Sequence, residues 1–122
     1  MQRALQAAAK GDVAGTRSVL EGFPEEDERA ERAARLRDAV GFLEEKLDPA
    51  KPGAEGKLAA ARERFLARDY EAAMSAIVEA TAADRGFRSG LSRRAMVLCF
   101  LVVGEEDPRC DGYRRRLATL LY

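Results

Sequence analysis

Apolar residues along this 122-residue chain recur at intervals of three and four, the period of one face of a helix, and no stretch alternates apolar with polar for long. Ala33, Leu36, Val40, Leu43 and Leu47 follow one another at spacings of 3, 4, 3 and 4. Leu58, Ala61 and Phe65 mark a second stripe, Tyr70, Ala73, Met74, Ile77 and Ala80 a third, and Cys110, Tyr113, Leu117, Leu120 and Leu121 a fourth. Between the stripes the commonest residues are Ala, Arg, Glu and Leu, which lose little freedom in a helix. The pattern predicts an all-α fold.

Caps and breakers divide the pattern into about seven helices. Gly11-Asp12 separates residues 4–10 from residues 13–21, with Asp12 placed to cap the second helix, so the pair reads as a short hairpin. Pro24 and the acidic run Glu25, Glu26, Asp27 and Glu28 have the form of a helix start and predict a third helix through Leu47. Residues 48–53 (DPAKPG) break it and form a candidate linker, a sub-boundary within one domain spanning 1–122. A second hairpin comes next: a helix over 54–67, then one capped by Asp69 and ended by Asp84-Arg85-Gly86. Ser89 is placed to cap an apolar helix over 91–103 that Gly104 stops, and Asp107-Pro108 opens the last helix. The expectation is a set of stacked antiparallel hairpins.

Set against itself, the chain repeats a plan 57 residues on: KGDVAGTRSVLEGFP and ARDYEAAMSAIVEAT both read helix, turn ending in Asp, helix. Residues 58–80 resemble a tetratricopeptide (TPR) unit. Ala61, Ala73 and Ala80 stand at the small positions where two helices approach closely, Tyr70 begins the second helix and Ile77 holds its large apolar position. The unit is divergent: Asp84-Arg85-Gly86 replaces the usual Pro, and the spacing exceeds the family's period of about 34 residues by one inserted helix.

The last forty residues resemble the end of thioredoxin-like co-chaperones of the YbbN/CnoX type, bacterial proteins with a thioredoxin domain followed by a divergent TPR domain. The matching features are Asp84 with Phe87, the helix from Arg94 to Phe100, Gly104-Glu105-Glu106-Asp107-Pro108, and Tyr113-Arg114-Arg115-Arg116-Leu117 through Leu121-Tyr122. The resemblance implies a protein-binding domain whose partners are unfolded clients and the chaperonin GroEL. Neither a thioredoxin domain nor a CxxC pair is present, so the family's redox activity does not carry over. The chain is expected to be either a C-terminal portion of such a protein or a stand-alone relative. In this reading Tyr113, Leu117 and Leu120 pack the last helix onto the helix over 91–103, while Arg114, Arg115, Leu121 and Tyr122 are candidate partner-binding residues.

Composition narrows the chemistry. With no His, no Trp and two Cys, histidine triads, histidine general bases and histidine-containing zinc sites are excluded. Cys99 sits in an apolar run and reads as core, and Cys110 lies on a packing stripe. Their spacing fits neither a redox pair nor a disulfide framework, which favours a reducing cytoplasm. The carboxylates form no singled-out pair, the segment 105–111 lacks the ligand order of a calcium loop, and no glycine run precedes a Lys-Ser/Thr pair. No catalytic residue, metal or cofactor is therefore expected. The run 95–104 is about half of the ~20 residues that span a bilayer, so no membrane segment is expected. Twenty-one basic and 21 acidic residues balance overall, yet residues 84–122 hold eight Arg against five acids. That excess is small for a nucleic-acid binder. Solvated faces and ion pairs, for example with residues 25–28, are the expected use of these arginines. A protein-binding helical domain is the leading function, a stand-alone adaptor or dimerisation domain the alternative, and a nucleic-acid-binding domain the weaker one.

Overall fold

Two helical hairpins of the computed structural model, which describes residues 1–23 and 28–121, turn by the same device. In the first, α1 (Gln2–Ala9) runs into α2 (Val13–Glu21); in the second, α4 (Ala54–Leu66) runs into α5 (Tyr70–Ala83). Gly11 and Arg68 take the left-handed conformation, at φ 81° and 65°. The next residue sends its N–H back to the preceding helix, Asp12 to Ala7 and Asp69 to Arg64, both at 2.9 Å. These are the long backbone bonds that close a helix end around a left-handed residue. The same aspartates then cap the following helix, Asp12 accepting from the Gly15 N–H at 2.8 Å and Asp69 from that of Ala72 at 3.3 Å. The repeat seen in the sequence is thus a repeat of turn geometry, bond for bond.

Between the hairpins lies α3 (Ala30–Ala39), continued by a 3-10 turn over Val40–Glu44. The expected helix over 24–47 is shorter at both ends. Its start at residues 24–27 lies outside the described residues, Glu28 and Arg29 form a turn, and the chain becomes extended at Glu45. The tightened turn rotates the apolar face, so Phe42 fills the core where Leu43, half-buried, was expected. Residues 48–53 are held in place rather than loose: the Asp48 N–H donates to Glu55 Oε2 at 2.9 Å and the Ala50 N–H to Asp48 Oδ1 at 2.9 Å.

The axis of the molecule is α6 (Leu91–Val103), which packs against α1, α3 and its 3-10 turn, α4 and α5. Leu91, Ala95, Met96, Leu98, Cys99, Phe100 and Leu101 are all buried along it, joined in one cluster to core residues from Ala4 to Leu117. Ser89 does not cap this helix. Arg88, Ser89 and Gly90 are three successive left-handed residues (φ 45°, 58° and 83°), and the capping position falls to Gly90, with no side-chain bond.

With α6 enclosed on so many sides, the last helix, α7 (Pro108–Leu121), lies mainly along α5 rather than on α6 as expected. The Tyr113 hydroxyl donates to the Glu71 carbonyl at 3.3 Å near the start of α5, while Leu120 stands by Ala82 near its end. The two helices therefore run in the same direction, as equivalent helices of successive repeats do. Among the described residues every element is helix or turn, and none of the helices is long and apolar enough to cross a membrane.

Candidate functional site

The tight hairpin of α4 and α5 is built on small residues. Ala61, Ala73 and Ala80 are completely buried and Ile77 nearly so, which lets the two helices approach closely. Tyr70 closes the turn, its ring edge-on to Phe65 at 5.6 Å and 70°. Burial pushes the Tyr70 hydroxyl above its ordinary pKa, with Arg68 opposing.

The face that α7 turns inward is set by helical rotation. At about 100° per residue, positions 110, 117 and 121 fall within about 40° of one another, and position 120 lies well to the side. Cys110 and Leu117 are accordingly buried, and Tyr113 and Leu121 are half-buried against the core. Leu120, expected in the packed set, instead lines a groove, while Leu121, a candidate partner-binding residue on the same stripe, is half-buried. Tyr122 lies outside the described residues.

Both thiols are buried and unpaired. Burial pushes Cys99 up to about 12, with Cys110 adding a little. Cys110 donates to the Gly104 carbonyl at 3.4 Å, and burial, then Asp107, raise its pKa against the pull of Arg114 and Arg109. Both groups are neutral thiols near pH 7, which removes their nucleophilicity. Among the described residues no three His, Cys, Asp or Glu side chains are grouped to hold a metal ion.

The arginines of the last third are largely engaged within the chain; the acidic run at 25–28 expected to pair with them lies, but for Glu28, outside the described residues. Arg109 pairs with Asp107 at 2.9 Å. Arg114 pairs with Asp111 at 2.9 Å, donates to the Glu105 carbonyl at 3.1 Å and lies over the Phe100 ring at 4.9 Å. Arg116 lies over the Tyr113 ring at 5.4 Å, and Arg85 donates to the Leu120 carbonyl at 3.4 Å. Glu105, from the turn before α7, pairs with Arg35 of α3 at 2.8 Å. Of the candidate partner-binding residues, Arg115 is exposed and its side chain has no partner among the described residues, whereas Arg114 is committed to its own helix and the preceding turn.

Between α5 and α7 runs an open groove of about 320 Å³, lined by Val78 and Ala82 on one side and by Arg116, Thr119 and Leu120 on the other. The stripe through Ala73, Ile77 and Ala80 is the core face of α5; Val78 and Ala82 make a second apolar face four residues apart, and that spacing was the signal in the sequence that could have found the groove. Arg88 is the other residue whose role exceeds its sequence signal. Its guanidinium donates to the Lys46 carbonyl at 2.6 Å and to Glu55 Oε1 at 3.4 Å, pinning the segment before α6 to the loop before α4.

A family model described as tetratricopeptide repeat matches residues 33–122. The match runs from the first turn of α3 through α7 and leaves the first hairpin outside. No curated protein and no solved structure matches the chain.

Proposed function

This chain belongs to the tetratricopeptide repeat family, whose repeats mediate protein–protein interaction, and on that premise we propose that it is the client- or chaperone-binding module of a thioredoxin-like co-chaperone. The observation that carries the protein-binding reading is the groove between the parallel helices α5 and α7, an open, mainly apolar surface of the kind that stacked repeats offer to partners. The co-chaperone assignment rests on the resemblance of residues 84–122 to the end of the YbbN/CnoX proteins. On this reading residues 1–122 act as one non-catalytic domain in the cytoplasm, unfolded chains and GroEL are the partners, and Arg115, Leu121 and Tyr122 lie at the contact.

Two measurements test the proposal. Purified chain is titrated against GroEL by surface plasmon resonance, and a chemically unfolded reporter enzyme is diluted with and without the chain while aggregation is followed by light scattering. Saturable binding to GroEL, or suppressed aggregation, with either effect weakened by Arg115→Glu, supports the co-chaperone reading. Absence of both effects overturns it.

A further inference from the structure

We propose that the α5–α7 groove takes an acidic amphipathic helix of a partner protein, with apolar residues against Val78, Ala82 and Leu120 and carboxylates toward Arg116 and Arg85. The inference rests on the protein-binding reading above and adds the chemistry of the occupant. The trough between two parallel helices is shaped for a third helix laid along it, and the small side chains Ala82 and Thr119 let a backbone come close. The charge lies on one side. Arg116 is part of the lining and is steadied over the Tyr113 ring, and Arg85 stands at the end of the groove, bonded to the Leu120 carbonyl. No acidic residue lines the groove among the described residues, and the segment 84–122 that supplies one whole wall carries a net charge of +3. Glu79, exposed beside Val78 on α5, repels carboxylates from the opposite rim and so fixes which way the partner's acidic edge faces.

The test uses the whole chain and two fluorescein-labelled helical peptides with identical Leu and Ala positions at i, i+3, i+4 and i+7, one flanked by Glu and the other by Lys. Fluorescence anisotropy is expected to show binding of the Glu peptide, weakening as salt is raised, and none of the Lys peptide. Arg116→Glu and the exposed-site change Ala82→Glu each weaken the Glu peptide about tenfold or more, while Arg64→Glu on α4 leaves it unchanged; circular dichroism checks that all three variants fold. Equal binding of the two peptides, or no loss in either groove variant, overturns the proposal. So does a dimer in solution that Ala82→Glu dissociates, since the occupant would then be a second copy of this chain. If the Glu peptide fails while GroEL or the unfolded reporter is still bound, the occupant's chemistry is wrong and the protein-binding reading stands; if all fail, both fall.

Discussion

Arg88 donates to the carbonyl oxygen of Lys46, 42 positions earlier in the chain, at 2.6 Å. The same guanidinium lies 3.8 Å from Glu45 Oε1 and 3.4 Å from Glu55 Oε1, and over the Phe87 ring at 5.1 Å. It reaches them from a left-handed backbone, φ 45°, which is unfavourable for any residue with a Cβ. Staple and strain oppose each other and can be separated. Arg88→Ala removes the staple and keeps the strain, so it is expected to lower stability in urea denaturation by about 1–2 kcal/mol. Arg88→Gly removes both and is expected to cost less. Equal losses in the two variants would show that the backbone carries no strain, and no loss in Arg88→Ala would show that the staple is idle.

A pair of glycines gives opposite signs. In the first turn of α4, a Cβ on Gly56 would overlap the Lys51 carbonyl oxygen and press on that of Pro49, and backbone cannot swing aside as a side chain can. Gly56→Ala should therefore destabilise the fold by about 2–4 kcal/mol despite the better helix propensity of Ala. Gly112, inside α7, has nothing within 4 Å of such a Cβ. Gly112→Ala should stabilise by about 0.5–1 kcal/mol. Thermal unfolding of both variants decides the matter, and a Gly56→Ala protein as stable as the parent would contradict the close loop approach.

The helices were legible in the sequence because each is written in local terms: Asp12 and Asp69 cap the helices that begin after them, Gly104 and Pro108 bracket the last turn, and the apolar period sets the faces. The third helix misled because an unbroken 3, 4 spacing through Leu47 looks the same whether the chain stays α-helical or tightens into a 3-10 turn at Val40. Ser89 misled because capping needs a backbone conformation as well as a hydroxyl, and Ser89 is left-handed. The place of α7 was out of reach for another reason. Which neighbour a final helix chooses depends on how much of α6 is still uncovered, a sum over contacts from α1, α3 and α5 that no local pattern holds. With that choice Leu120 came to line a groove with Val78 and Ala82.

Thiol chemistry should report the integrity of the core. Burial pushes Cys99 up to about 12, so neither it nor the buried Cys110 should react with a thiol reagent at pH 7 until the chain opens. An unfolded cysteine ionises near pH 8.5, well below the native Cys99. Raising the pH through that interval therefore stabilises the unfolded chain by ionising it while the native thiol keeps its proton, and stability should fall between about pH 8.5 and 12. Cys99→Ser, which cannot ionise there, should flatten that part of the pH profile; an unchanged slope would place the effect on other groups.

The start of α7 makes an acid-side prediction. Asp107 accepts from the Arg109 side chain at 3.1 and 2.9 Å and from the Arg109 backbone N–H at 2.9 Å, and those hydrogen bonds hold its carboxyl below the usual Asp value. Because the native carboxylate binds its proton less tightly than the unfolded one, the contribution of the pair is present above about pH 4 and is lost as pH falls through the native value. Arg109→Ala removes the side-chain bonds and leaves the backbone N–H, so the Asp107 titration followed by carboxyl NMR should move only part of the way back toward the ordinary Asp value. A full return would assign the whole shift to the guanidinium, and no movement would assign it to the helix start itself.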